Sequence, residues 1–215
     1  MSEDAVSAGE RLQQLLMDAG QEPLEPAQVS QFKDYLSLIL RWNARVNLTA
    51  IRDEDGILSR HFVESIACAR SLPPGVATLL DFGSGAGFPG IPIALCRPDL
   101  SVTLAESQGK RAAFLQEAAR ILGISVKVHS GRAESLAVQF DCVTLRAVDR
   151  MEQAVEAAAR LVSPAGWLVL MTTESCIEKL QTAAGPGFRW HTVSPPGNAQ
   201  RELLALGQRS GASSC

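Results

Sequence analysis

Asp81, Gly83, Gly85, Gly87 and Gly90 are spaced as a ligand-binding turn, and Glu106 follows about 20 residues on, where such a turn has a matched acid. The glycines fall inside Leu79-Leu-Asp-Phe-Gly-Ser-Gly-Ala-Gly-Phe-Pro-Gly90, where a short apolar run hands over to a helical one. Residues without side chains let the backbone turn tightly and come close to a ligand. An acid ending the next strand can accept both hydroxyls of a ribose. The chemistry implied is recognition of a nucleoside-bearing cofactor.

Two cofactor classes fit the spacing. Gly85, Gly87 and Gly90 make the G-x-G-x-x-G of dinucleotide-binding turns, which says little in a chain with 17 glycines. Asp81, Gly83, Gly85 and Gly87 make the D-x-G-x-G-x-G of S-adenosylmethionine-dependent methyltransferases. Glu106 suits the ribose of either ligand. Asp81 favours the second, because a dinucleotide-binding strand is usually apolar two residues before its first glycine. A carboxylate there can hold the turn and face the cationic end of the cofactor. An NAD-dependent oxidoreductase would also need a proton-transfer residue, and Tyr35, the only tyrosine, lies in the segment before the turn. A small-molecule methyltransferase and a non-catalytic module sensing cofactor or RNA remain open on the same turn.

Two further loops carry candidates. Ser130-Gly-Arg-Ala-Glu-Ser135 follows the third strand, where Ala133 and Glu134 can meet an adenine ring; a plain surface turn is the other reading. Thr144-Leu-Arg-Ala-Val148 ends the fourth strand at the carboxyl edge, where ligands of open sheets bind. Arg146 there is placed for a carboxylate or phosphate, with a surface ion pair as the alternative.

The elements that must position these residues separate at Pro73-Pro74-Gly75. Residues 1–72 read as a helical cap. Apolar residues recur at helical spacing over 4–19, then from Pro26 through Leu40, then over 53–71. Residues 73–215 alternate strands (77–82, 101–106, 124–129, 140–145, 166–171, 188–193, 201–206) with helices (91–96, 110–122, 151–161, 177–180). That alternation predicts an α/β fold, a doubly wound and mostly parallel sheet with helices on both faces. The last two strands have no helix between them, so they should form an antiparallel hairpin at one edge.

Composition narrows the class without naming a partner. An apolar share of 46% and a charged share of 20% describe a globular chain, and no run is long enough to span a membrane. The net charge of -3 means that a nucleic acid would have to meet a local basic face. Cysteines at 68, 96, 142, 176 and 215 are too scattered for a zinc site or a disulfide framework, so no metal is expected. An acidic N-terminus without an apolar run argues against a signal peptide, and a cytoplasmic location is expected.

Taken together, the blocks Arg41-Trp-Asn-Ala-Arg-Val-Asn-Leu-Thr-Ala50, Arg60-His-Phe-Val-Glu-Ser65, the turn at 81–90, Gly109-Lys-Arg-Ala-Ala-Phe-Leu115 and 144–148 carry a resemblance. In this order they resemble the bacterial small-subunit ribosomal RNA guanine-N7 methyltransferases, also called the glucose-inhibited division protein B family. The resemblance covers about residues 10–206. It implies a Rossmann-like class I methyltransferase fold with a seven-stranded sheet, S-adenosylmethionine as cofactor, and methylation of N7 of a guanosine in 16S ribosomal RNA. It implies cofactor contacts at Gly83, Phe88, Ala133, Glu134 and Arg146, beside Asp81, Gly85 and Glu106 from the turn. Glu64 and Glu106 stand where the family commonly has Asp, and Leu145 where a small polar residue is usual.

Guanine N7 carries a lone pair and no proton, so the reaction needs orientation rather than a general base, and no catalytic base is assigned. Candidate RNA contacts are Lys110, Arg111 and Arg201, with Arg41, Arg45, Arg52 and Arg60 in the cap. His61 can stack on a base or cap a buried helix. The expected substrate form is a folded RNA loop, in the 30S subunit or an assembly intermediate, met by a monomer with no membrane partner.

Overall fold

The computed structural model describes residues 7–194 and 202–211. Arg201, Cys215 and residues 4–6 of the first expected helix lie outside them. Among the described residues, seven strands form one sheet: β1 (Thr78–Phe82), β2 (Ser101–Ala105), β3 (Val126–His129), β4 (Phe140–Arg146), β5 (Val162–Thr173), β6 (Phe188–Val193) and β7 (Glu202–Arg209). Their order is β3-β2-β1-β4-β5-β7-β6, with β1 to β5 parallel and β7 antiparallel to both neighbours. The chain reverses direction across the sheet between β1 and β4, the switch point where open sheets of this kind bind ligands. The expected terminal hairpin is present, with β7 inserted between β5 and the edge strand β6.

Helices α1 (Ala8–Asp18), α2 (Pro26–Asn43), α3 (Glu54–Gly56) and α4 (Glu64–Ser71) build the segment before the sheet. α5 (Gly90–Cys96), α6 (Gly109–Leu122), α7 (Met151–Arg160) and α8 (Ile177–Ala184) follow it. Local signals explain the boundaries. Ser7 and Glu10 form a reciprocal capping box at α1. Pro26 opens α2, and Gly123 closes α6 in the left-handed conformation at φ +64°.

The helix expected over 53–71 differs from its prediction. Between α3 and α4, Ile57–Val63 winds as a π-helix. Ile57, Leu58, Phe62 and Ile66 are all buried, and apolar spacing of that kind cannot tell a π turn from an α turn. Strand β5 is longer than expected because pairing with β4 resumes across a register shift between Phe140 and Cys142. β3 starts at Val126 rather than Ile124.

One face of the sheet and the cap share a continuous core. Leu12, Leu16, Phe32, Tyr35 and Phe62 pack in the same buried cluster as Leu79, Leu104, Phe114, Val169 and Leu206. Tyr35 is 0% exposed, stacks on Phe62 at 5.3 Å and donates a 2.5 Å hydrogen bond to the Ala86 carbonyl in the glycine turn. The second cluster, with Leu80, Val143, Val155 and Leu168, fills the opposite face. Tyr35→Phe keeps the ring and strips the Ala86 carbonyl of its buried donor, which should cost about 1–2 kcal/mol in urea unfolding; an unchanged midpoint would show that the turn does not depend on this tie.

Candidate active site

Strand β1 ends on Phe82, and the chain then turns through Gly83, Gly85 and Gly87 with φ of +72°, +56° and +91°. Side chains resist those values, so the three glycines are a backbone requirement. The amides of Gly83 and Ser84 both donate to the Ala105 carbonyl at 3.0 Å, which pins the turn to the end of β2. A Cβ on Gly87 would stand 2.5 Å from Ile91 and 2.7 Å from the Tyr35 hydroxyl. At Gly85 it would meet only the Gly83 carbonyl at 3.9 Å. The space above Gly85 is open cleft.

Beneath the turn, Asp81 is 0% exposed. Its carboxylate accepts from the Gly90 amide at 3.1 Å and from the Thr144 hydroxyl at 3.1 Å, and its carbonyl accepts from the Ser84 hydroxyl at 3.0 Å. Burial pushes the carboxyl up to about 6, against the lowering effect of the Ser84, Thr144 and Gly90 hydrogen bonds, while the Glu106 charge pushes it further up. The hydrogen bonds to Gly90 and Thr144 are the turn-holding part of the role expected of Asp81. It holds the turn and does not line the cleft.

The cleft above has a volume of about 890 Å³. Gly83, Gly85, Phe88, Glu106, Ala133, Glu134, Arg146 and Arg111 all line it. Glu106 is 5% exposed; one oxygen accepts from the Gly85 amide at 2.9 Å and the other from the Gln108 amide at 2.7 Å. A carboxylate oxygen accepts more than one hydrogen bond, so both keep capacity for hydroxyls. Ala133 is buried and Glu134 exposed in the 3-10 turn Ala133–Ser135 after β3. Arg111 reaches across to the Asn47 carbonyl at 3.1 Å, whereas Lys110 is exposed outside the cleft.

Arg146 lines the cleft and is already paired within the chain, in an ion pair too buried to be a surface one. Its guanidinium binds the Glu64 carboxylate and the Arg60 carbonyl, the latter at 2.6 Å, and the two side chains of the ion pair are 9% and 15% exposed. A residue from the end of β4 thus straps the π-helical segment of the cap over the glycine turn. The Arg60 carbonyl belongs to that wide turn.

The cap side of the cleft is ordered by Asn43, whose amide spans the loop that follows α2. Its oxygen accepts from the amides of Leu48 and Thr49 at 2.9 and 3.1 Å, and its nitrogen donates to the Thr49 carbonyl at 3.1 Å. Thr49 is thereby set 2.8 Å from His61 Nε2. The His61 ring stacks on Phe88, with centroids 4.6 Å apart and planes 23° from parallel. Its Nδ1 is buried without a hydrogen-bond partner among the described residues. Burial, then the charges of Arg146 and Arg60, hold the imidazole down at about 3, so it is neutral at ordinary pH.

Arginines 60, 111, 132, 146 and 150 line a cleft whose acids are Glu106, Glu134 and Asp149, so the cleft is basic in a chain of net charge -3. The arrangement can hold a nucleoside against an acid and a bare turn, and can draw a polyanion to the rim. Neither Arg132 nor Arg150 stands out in the sequence, because isolated arginines carry no spacing signal. Asn43 and Thr49 carry a fainter signal inside the block at 41–50, since an Asn and a Thr flanking a tight loop are the residues that bond to backbone. Ala147 and Arg150 adopt positive φ, +47° and +52°, in the loop that forms one wall.

Comparison with known proteins agrees with this architecture. The fold is similar to that of a methyltransferase from Pyrococcus furiosus, with a TM-score of 0.60 at 13% identity over 85% of this chain and 97% of that one. It is also similar to that of TYW2 of M. jannaschii, solved in complex with AdoMet, with a TM-score of 0.56 at 14% identity over 70% of this chain and 76% of that one. In sequence the chain is 36% identical to the ribosomal RNA small subunit methyltransferase G of Roseiflexus sp. (strain RS-1), over 85% of this chain and 84% of the relative. It is 36% identical to the protein of the same name from Neisseria meningitidis serogroup C / serotype 2a, over 93% and 98%. The family model described as rRNA small subunit methyltransferase G matches residues 28–185, and the chain belongs to that family.

Proposed function

We propose that this protein transfers a methyl group from S-adenosylmethionine to N7 of a guanosine in 16S ribosomal RNA. The observation that carries the reading is the pairing of a nucleoside-sized turn with a basic cleft in a chain of this family: Glu106 beside the open space over Gly85, ringed by arginines. Within this reading Glu106 takes the ribose hydroxyls, Ala133 and Glu134 stand beside the adenine, and Gly83 and Gly85 leave room for the chain of the amino acid. Phe88 lines the same space. The bound cofactor supplies an electrophilic methyl on a sulfonium.

What the protein does is align and exclude. N7 presents a lone pair in the ring plane, and attack needs donor and acceptor at about 3 Å in line rather than removal of a proton. Asp81 fixes the turn from beneath and adds a buried negative charge behind it, a counterweight to a cationic ligand. Arg146 acts through the cap, fixing the wall opposite Glu106 by its grip on Glu64 and the Arg60 carbonyl. Arg60, Arg111, Arg132 and Arg150 meet phosphates at the rim. Lys110, exposed beside the cleft, is a further phosphate contact. A soluble cytoplasmic monomer acting on the 30S subunit or an assembly intermediate fits the reading.

Methyl-labelled S-adenosylmethionine, incubated with the protein and 30S subunits lacking the modification, should label 16S RNA; label on free nucleosides but not on RNA would favour a small-molecule methyltransferase, and NADH binding in place of S-adenosylhomocysteine would end the reading. Gly85→Ala puts a methyl into the open cleft at a φ that disfavours a side chain, so S-adenosylhomocysteine affinity should fall at least tenfold, with a stability loss of only about 1 kcal/mol. Affinity for S-adenosylmethionine should be full above pH 6 and weaken as pH drops through about 6 and Asp81 takes up a proton. The uncharged thioether of S-adenosylhomocysteine should lack that dependence, and Asp81→Asn should flatten it. Parallel pH curves for the two ligands would show that the Asp81 charge is not felt at the sulfonium.

A further inference from the structure

The order of strands fixes the order of loops along the carboxyl edge of the sheet. The loop after β3 (Gly131 to Glu134), the end of β2 (Glu106 to Gln108), the glycine turn after β1 and the loop after β4 (Ala147 to Arg150) follow one another as the strands do. Neighbouring strands are about 4.8 Å apart, so the β3 and β2 loops lie on one side of the turn and the β4 loop on the other. The ribose acid and the adenine loop are on the first side. The cap's π-helical segment is tied to the second, because Arg146 at the end of β4 grips Glu64 and the Arg60 carbonyl. His61, in the same segment, lines the cleft there.

That leaves His61 on the side of the turn away from the nucleoside, where an acceptor base must enter. Its ring is set in place from two directions. Thr49 fixes the in-plane angle through Nε2 at 2.8 Å, and Phe88 supports one face at 4.6 Å. An imidazole whose plane is fixed, backed by a second ring and partly open to a cleft, is a flat surface for another flat ring. Resting on the proposed RNA methylation, we propose that the His61 ring, backed by Phe88, is the platform on which the target guanine stacks while N7 meets the methyl group.

The surroundings suit that task. Burial opposes protonation of the ring, as do the charges of Arg146 from β4 and of Arg60 on the same helix, and together they outweigh the Arg60 backbone hydrogen bond that favours it; the Glu64 carboxylate is taken up by Arg146. Guanine acquires a positive charge as N7 is alkylated. A neutral π face attracts that charge, whereas an imidazolium would repel it. Phenylalanine could provide the face but not the bond to Thr49 that fixes its angle.

Wild type, His61→Ala and His61→Phe, each as the full chain, should be compared on 30S subunits lacking the modification with methyl-labelled S-adenosylmethionine. Calorimetric affinity for S-adenosylhomocysteine and the thermal midpoint should be measured in parallel. Base–aromatic stacking is worth about 5- to 150-fold per base, so His61→Ala should lower kcat/KM for RNA by about that factor with cofactor affinity within about twofold of wild type. His61→Phe should recover most of the loss. The platform is overturned if His61→Ala methylates RNA as wild type does, if His61→Phe is no better than His61→Ala, or if S-adenosylhomocysteine affinity falls in step with activity. Failure of the wild-type protein to label RNA removes the methylation reading itself, and the platform with it.

Discussion

Burying the Asp81 carboxylate costs several kcal/mol, about what one buried ion loses on leaving water, unless donors are aimed at it. Two donors are, and they come from separate parts of the chain: the Gly90 amide at the start of α5 and the Thr144 hydroxyl on β4. Satisfying one carboxylate therefore ties the turn, the helix that follows it and the neighbouring strand into a single geometry. Gly90 must lack a side chain for this, since a Cβ there would lie 2.6 Å from the same carboxylate oxygen. The position of the cleft floor is a consequence of where that charge is buried.

The roof depends on a second buried charge. Arg146 leaves the sheet two strands' edges from Glu106 and is neutralised by Glu64 from the cap, so cap and sheet are joined electrostatically at the cleft and by apolar packing behind it. Tyr35 completes the connection from within the core, through the Ala86 carbonyl. The π-helical widening at Ile57–Val63 coincides with the place where Arg146 takes a cap carbonyl, and π turns recur at functional sites because they redirect side chains. Here the redirected side chains include His61 and Arg60.

The parts of this arrangement legible in the sequence are those whose physics is local. Gly83, Gly85 and Gly87 announce themselves because positive φ demands glycine, and Asp81 and Glu106 because they flank those glycines at fixed strand lengths. The alternation of strand and helix gives the sheet, and the missing helix between the last two strands gives the hairpin. The strand pattern gives Arg146 its position at the carboxyl edge, but its partner lies 82 residues earlier, and no local pattern announces an ion pair at that separation. The stack of His61 on Phe88 and the bracing of Thr49 by Asn43 are likewise products of packing. The exposed Arg132 and Arg150 become meaningful only when the loops after β3 and β4 are seen to face one cleft.

The central claim is regiochemical: a proton-free nitrogen is alkylated by alignment alone, in one nucleotide of a large RNA. Its most direct test is the identity of the product nucleoside. After incubation with S-adenosylmethionine and unmodified 30S subunits, 16S RNA digested to nucleosides and separated by mass spectrometry should contain newly formed 7-methylguanosine, absent when the protein is omitted. Methyl groups appearing instead on a base amino group, a ring carbon or a ribose hydroxyl would contradict the account, because each of those acceptors needs chemistry for which no residue has been assigned.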